Sequence, residues 1–210
     1  MSNMKYKINE IFVSIQGEGL LVGEPMNFIR FTQCNINCTW CDTDFGEGEF
    51  MSPEEILGKL DKEFEWVSLT GGEPMLEENL CGLIMELKHE NYRVFLESNG
   101  TLFNKEIFDL CDFISIDIKP PSSGHVGCHR MDVFSFCLKN PEKTQVKVVI
   151  QDKEDVEFFR RIYKKEYLHW ILQPEYDSMR EVDYGKILDM LKGKGNVRII
   201  PQVHKIIGVR

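Results

Sequence analysis

Three cysteines, Cys34, Cys38 and Cys41, lie within eight residues of a 210-residue chain, in the spacing C-x3-C-x2-C. A closed tetrahedral zinc site would need a fourth ligand from a distance. On a cubane [4Fe-4S] cluster, three thiolates instead leave one of the four irons open. An open iron can chelate a small molecule through an amine and a carboxylate. Trp40, directly before the last cysteine, could shield such a cluster or stack on an adenine. Structural zinc, or three unrelated buried thiols, is the plainer alternative.

Other residues invite chemistry by type and place. Arg30 is a charge inside an apolar run, and a buried guanidinium needs a partner: a substrate carboxylate held bidentately, or an internal glutamate. Gln16 sits in a Gly-containing loop, where its amide could meet a ligand's polar edge or belong to a hairpin turn. Asp42, Thr43 and Asp44 follow the last cysteine and could supply oxygen ligands or cap a turn. His204 lies near the chain end, where a lone histidine can be structural or touch substrate. His125, Cys128 and His129 could mimic a metal site but read better as a mobile Gly-rich loop. Cys81 and Cys111 read as small buried hydrophobes, and Cys137 is left open.

These residues have to be positioned by strands and helices, and the pattern is alternating. Strand-like runs are expected at 27–32, 66–70, 92–97, 113–117, 145–150, 169–172 and 197–200. Helices are expected from Pro53 to about Phe64, behind a Ser52 cap, and at 77–89, 104–110, 153–165 and 180–192. Leu80, Leu83, Ile84 and Leu87 carry the i, i+3, i+4, i+7 stripe of the second. Alternating strands and helices favour an α/β fold with parallel strands. In a barrel of such strands the segments after each strand emerge on one rim. Those segments are CNINCTWCDTD, GGEP, SNGT, IKPP, QPEYDS and PQVHK, so one shared site is expected. No repeat or linker divides the chain, and a single domain over 1–210 is expected.

Composition narrows the partners. The chain has 34 acidic against 25 basic residues, a formal charge of -9, which argues against a protein that grips phosphate backbones. No apolar run approaches the roughly 18 to 20 residues needed to cross a bilayer, and the first residues are too polar for a signal peptide. No nucleic acid, no membrane and a cytoplasmic location are the expectations. In a reducing compartment, clustered cysteines point to metal binding or catalysis.

The triplet with an aromatic before its last cysteine, followed one strand later by Gly71-Gly72-Glu73-Pro74, resembles the radical S-adenosylmethionine superfamily. The resemblance implies a partial TIM-like barrel with a short N-terminal extension. It also implies a [4Fe-4S] cluster held by Cys34, Cys38 and Cys41. There the open iron chelates the cofactor's methionine part and reductive cleavage gives a 5'-deoxyadenosyl radical. Within the superfamily, Ile15-Gln16-Gly17-Glu18-Gly19, Gly23, Phe28-Ile29-Arg30-Phe31 and Cys41-Asp42-Thr43-Asp44 resemble the 7-carboxy-7-deazaguanine synthase family. Glu97-Ser98-Asn99-Gly100, Lys119-Pro120, Gln173-Pro174 and Gln202-Val203-His204-Lys205 extend that likeness over nearly the whole chain.

What this second resemblance implies is ring contraction of 6-carboxy-5,6,7,8-tetrahydropterin, a carbon-nitrogen lyase reaction on the route to queuosine. Ile15, Gln16, Gly17, Glu18, Arg30, Thr70, His204 and Arg210 would meet substrate, and Thr43 would ligate Mg2+. Trp40, Asp42, Gly71, Gly72, Glu73, Ser98, Asn99, Asp117, Ile118, Lys119, Gln173, Pro174, Glu175 and Tyr176 would hold the cofactor. Asp117-Ile118 departs from a Ser-Pro pair found in some relatives. A homodimer and a reductant such as flavodoxin or ferredoxin are also implied. The alternatives are an activating enzyme that oxidises a glycine on a partner protein, and a non-catalytic iron-sulfur module. A pterin product separates the first, and cofactor cleavage the second.

Overall fold

The structure, a computed structural model, describes residues 4–41, 43, 46–166 and 169–210. Among them nine strands form one sheet in the order β3-β1-β2-β4-β5-β6-β7-β8-β9. The strands are β1 (Tyr6–Ile15), β2 (Pro25–Phe31), β3 (Glu49–Met51), β4 (Trp66–Gly71), β5 (Arg93–Ser98), β6 (Phe113–Asp117), β7 (Thr144–Ile150), β8 (Trp170–Pro174) and β9 (Val197–Ile199). From β2 onward every neighbouring pair among β2 and β4 to β9 is parallel. Seven parallel strands thus stand where seven were expected, within one or two residues at the ends.

The N-terminal extension is a ten-residue strand, β1, antiparallel to both β2 and the short β3. Its register with β2 shifts between Ile8 and Glu10, the mark of a bulge. Sequence pattern missed both because β1 mixes Lys7, Asn9 and Glu10 into its run and β3 has three residues.

Helices α1 (Pro53–Leu57), α2 (Leu80–His89), α3 (Lys105–Leu110), α4 (Met131–Lys139), α5 (Lys153–Ile162) and α6 (Tyr184–Leu191) pack on one face through the main core, whereas α7 (Val203–Ile207) lies by the loop after β1. Helix α1 has the expected Ser52 cap, a capping box closed by Glu55. It stops at Leu57 instead of running to Phe64. Buried Asn27 explains the early end: its amide accepts from Asp61 N at 2.8 Å and donates to Asp61 O at 3.0 Å, fixing that backbone outside a helix. Helix α6 likewise starts late, where Asp183 accepts from Lys186 N at 3.1 Å. Helix α4 was not expected; Val133, Phe134, Phe136 and Cys137 bury its inner face.

The main core fills the space between sheet and helices, with Phe31, Leu69, Leu83, Phe108, Phe159 and Trp170 at 0–1% exposure. Cys111 and Cys137 are buried within it, as small hydrophobes, whereas Cys81 is only half-buried. Across the sheet, Met26, Phe28, Trp66, Phe95 and Phe113 make a second, smaller cluster. Strand periodicity of two places these on the face opposite the helices.

That second face is the inside of an incomplete barrel. In a flat sheet β1 and β7 would lie five strand spacings apart, about 24 Å. Yet Leu20 N, in the loop after β1, donates to Gln145 Oε1 on β7 at 2.7 Å. The sheet must therefore curl, and its outer strands β3 and β9 are not paired with one another.

Candidate active site

The apolar cluster plugs the amino end of the curled sheet, and the same alternation carries polar side chains at the carboxyl end. In register, Met26 faces Trp66 and, four residues on, Arg30 faces Thr70. Phe95 faces Phe113 and then Glu97 faces Ser115. Asp117 faces Lys147, and Val149 faces Gln173. Arg30, Thr70, Glu97, Asp117, Lys147 and Gln173 all line one cavity of about 290 Å³ above the plug.

The cysteine segment forms one wall of this cavity. Cys34, Cys38, Trp40, Cys41 and Thr43 line it. Gly72 and Glu73 bind the base of the segment through Gly72 N to Phe31 O at 3.0 Å and Glu73 N to Gln33 O at 2.6 Å. At its tip, Thr39 N donates to Ser123 O at 3.1 Å and Trp40 Nε1 to Ser122 Oγ at 3.1 Å. His125 Nε2 meets Asn37 O at 2.8 Å. The segment expected to be a mobile loop is thus a clamp on the cysteines, because its backbone and side chains satisfy theirs. Trp40 is committed on one side, with Lys119 Nζ 4.9 Å from its ring centroid.

Three observations test whether a cluster and its cofactor suit this wall. Burial pushes the Cys38 thiol up to about 11, and a coordinated metal cation would deprotonate it outright. No three His, Cys, Asp or Glu side chains among the described residues converge as a single-ion site, and the triplet's donor set suits a cubane. Asp117 Oδ1 and Gln173 Oε1 are buried acceptors on the cavity without a hydrogen-bond partner, fitting a ligand rich in N–H and O–H donors. The residues fit. Asn99 reaches the cysteine segment, its amide 4.0 Å from Cys34 Sγ and 3.0 Å from Asn35 Oδ1.

A charged network runs from the cysteine wall across to the opposite side of the cavity. Lys147 Nζ pairs with Glu18 and lies 3.4 Å from Asp117 Oδ2, which also accepts from Lys119 Nζ at 3.1 Å. Glu18 accepts from Gln202 Nε2 at 2.7 Å. Burial would raise the Glu18 carboxyl, but the Lys147 ammonium outweighs it and holds it below the usual range. Burial raises Glu97 despite Lys147 nearby and bonds from Thr70 Oγ1 at 2.6 Å and Gln16 Nε2 at 3.0 Å. Burial would lower Lys147; Glu18, Asp117 and Glu97 together raise it instead.

Gln16 is buried and its amide is used internally, donating to Glu97 and accepting from Glu18 N at 2.9 Å. It orients the Glu97 carboxylate and ties down the Glu18 backbone rather than presenting its own edge. Ile15 and Gly17 line the cavity beside it. A Cβ on Gly17 would overlap the His204 ring, so the C-terminal segment lies directly on this loop. Arg30 has the internal glutamate partner, Glu10, at 2.8 Å. The same carboxylate pairs with Arg210, and both guanidiniums lie over the Phe12 ring, at 5.5 and 4.9 Å.

Glu175 reaches the cavity, but Glu73, Ser98, Ile118, Pro174 and Tyr176 do not. Glu73 is 1% exposed and accepts from Asn99 N at 2.6 Å and Met75 N at 3.1 Å. It is a strut between two loops, and burial pushes it up to about 7. Ser98 turns to accept from Gly100 N at 3.2 Å, because a period of two sends it to the side opposite Glu97 and Asn99. Ile118 is buried in the main core and Tyr176 sits under Lys205 Nζ at 5.8 Å. Asp42 and Asp44 lie outside the described residues. Glu97, Lys147 and Gln202 were missed as site residues; Lys147 carried the same signal as Arg30, a charge in an apolar strand.

Residues 28–119 match the model of the Radical SAM superfamily. The chain is 37% identical over 207 residues to the 7-carboxy-7-deazaguanine synthase of Thermoplasma acidophilum, covering 95% of this chain and 96% of that one. It is 31% identical to the enzyme of that name from Bacillus subtilis, covering 94% of each. A crystal structure of QueE from Escherichia coli has the same fold, with a TM-score of 0.68, 22% identity and 96% of both chains covered. A curled sheet with a three-cysteine wall and relatives along its full length make this a radical S-adenosylmethionine enzyme, with a [4Fe-4S] cluster and S-adenosylmethionine as cofactors, and the chain belongs to the 7-carboxy-7-deazaguanine synthase family.

Proposed function

We propose that the cavity contracts the ring of 6-carboxy-5,6,7,8-tetrahydropterin to 7-carboxy-7-deazaguanine and releases ammonia. The observation that carries this reading is one cavity joining the cysteine wall to a wall of buried acids and cations. Substrate and product differ by one ammonia, so there is no net oxidation and the hydrogen taken from C6 is returned. When bound, the cluster and S-adenosylmethionine supply the 5'-deoxyadenosyl radical that takes it.

The protein's part is to bind, orient and exclude water. Carboxylates of Glu18 and Glu97 are acceptors for the N–H donors of an aminopyrimidone edge, and Gln16 and Thr70 keep Glu97 aimed. Arg30 and Arg210 share one carboxylate, Glu10, and so carry a surplus positive charge that suits the substrate's carboxylate. Among the described residues the terminal nitrogens of Arg30 have no hydrogen-bond partner. Asp117, Lys119, Gln173 and Glu175 lie nearer the cysteine wall and would take the cofactor's polar groups.

Thr43 lines the cavity beside Cys41, and we assign it to Mg2+, which keeps most of its octahedral shell as water and substrate oxygens. Thr43→Val preserves shape and removes the oxygen. This variant assembles its cluster and binds S-adenosylmethionine but loses most of the magnesium stimulation of product formation. An undiminished response, measured by turnover against Mg2+ concentration, places the ion elsewhere. A single domain, a homodimer, a cytoplasmic location and reduction by flavodoxin or ferredoxin complete the proposal; no helix among the described residues is long and apolar enough to cross a membrane.

The test is an anaerobic assay of reconstituted protein with dithionite, S-adenosylmethionine and the carboxytetrahydropterin. Deazapurine product and ammonia in equal amounts support the reading. Cofactor cleavage without loss of ammonia from the pterin overturns it and favours a protein-activating enzyme. No cleavage at all returns the chain to a non-catalytic iron-sulfur module.

A further inference from the structure

Lys147 is a cation that links two sides of the cavity. It projects from the middle of β7, within the fully buried run Thr144–Ile150, and is 8% exposed. Its ammonium pairs with Glu18, on the loop after β1, and lies 3.4 Å from Asp117 Oδ2, at the end of β6. From Glu18 the chain of contacts continues to Gln202, next to the C-terminal helix, at 2.7 Å. From Asp117 it continues to Lys119 at 3.1 Å, and from there to the Trp40 ring beside the cysteines. Glu97, a third acid lining the same cavity, also favours the charged ammonium.

Charge explains why this position needs a cation. Lys119 pairs with Asp117, while Glu18 pairs with Lys147 and also feels His204, and Glu97 is held by the neutral donors Thr70 and Gln16. Two carboxylates sharing one dry site cannot both stay ionised without a nearby cation. In its absence one takes a proton or swings toward solvent, and Gln16, which donates to the Glu97 carboxylate and accepts from the Glu18 backbone N–H, is disturbed with it.

We propose that Lys147 is a positioning residue that fixes the substrate-facing acids Glu18 and Glu97 in register with the cofactor-facing Asp117, so that cofactor cleavage and hydrogen transfer to substrate stay coupled. The inference rests on the pterin reading above. The wild-type assay tests that reading by itself, whereas Lys147 is tested by the variants against wild type. Lys147→Met keeps the stem and removes the charge; Lys147→Arg keeps the charge.

Two readouts apply. The first uses protein without its cluster, titrated calorimetrically with 6-carboxypterin: Lys147→Met weakens binding at least tenfold and Lys147→Arg restores part of it. The second is the ratio of 5'-deoxyadenosine to product in the reconstituted enzyme, which rises severalfold in Lys147→Met. A double-variant cycle guards against misfolding of the single variant. Because Lys147 acts in part through Glu18, the affinity lost in Lys147→Met/Glu18→Gln is less than the sum of the two single losses. Unchanged 6-carboxypterin affinity with an unchanged ratio overturns the proposal, as do additive losses in the double variant.

Discussion

Alanine at Cys34, Cys38 or Cys41 abolishes reductive cleavage of S-adenosylmethionine while the protein stays folded. The expectation of a stable variant comes from burial: Cys34 and Cys38 are half-exposed and Cys41 is exposed, so none contributes much to the core. The segment that carries them is held by other groups, at its base by Gly72 and Glu73 and at its tip by Ser122, Ser123 and His125. Removing one thiolate leaves two protein ligands on the cubane, too few to keep one iron open and the other three protected. Cys128→Ala is the comparison. Cys128 is half-buried on the clamp and does not line the cavity, so that variant keeps about four irons per chain and full cleavage. Iron content and 5'-deoxyadenosine release read both. Normal cleavage in any of the three triplet variants removes that cysteine from the ligand set, and loss in Cys128→Ala adds a fourth.

The barrel strands were legible because each is an apolar, β-branched run closed by turn residues. The parallel arrangement followed from the helical stripes between them. Less legible was everything set by pairing across the sheet. β1 reads as polar extension until it pairs with β2, and α1 ends at Leu57 only because Asn27, thirty-odd residues earlier, captures Asp61. The cavity shows the same division. Motif residues flanking each strand end were visible, and most line the cavity. Glu73, Ser98 and Ile118 sit beside the right motifs yet face the other way, since alternation sends neighbouring residues to opposite sides. Glu97 and Lys147 are the converse. Each stands inside a strand, where a charge looks like a packing problem, and becomes part of a shared network only when the sheet curls. Arg30 posed two options in the sequence, and Glu10 settled its first partner because β1 and β2 pair Glu10 with Arg30.

Gly72→Ala disables the site without touching a single polar side chain. A Cβ at Gly72 would overlap the carbonyl of Gln33 and approach Cys34 N to 3.0 Å. The obstacle is backbone, which cannot rotate away like the tip of a side chain, so the turn after β4 and the cysteine segment must part. Parting opens the bond from Glu73 N to Gln33 O, 2.6 Å long, and that from Gly72 N to Phe31 O, 3.0 Å. Gly71 can absorb none of the shift: its φ of +110° is left-handed, and its own Cα lies against Phe31 backbone, where a Cβ would stand 2.5 Å away. Overpacking of this kind costs about 1 to 3 kcal/mol, small enough for the sheet to survive. The cavity fares worse, because Cys34 on one side and Gly71 and Gly72 on the other form adjoining parts of its wall, and a displacement near 1 Å is enough to cost about a hundredfold in a positioned reaction. Gly72→Ala therefore lowers the melting temperature modestly, lowers iron retention, and reduces S-adenosylmethionine affinity and cleavage by two orders of magnitude or more. Gly195→Ala is the matched control, since a Cβ there meets nothing within 4 Å and its φ lies outside the left-handed range; it leaves all four readings at wild-type values. Equal affinity in Gly72→Ala and wild type would mean that the two loops are not held in one rigid contact.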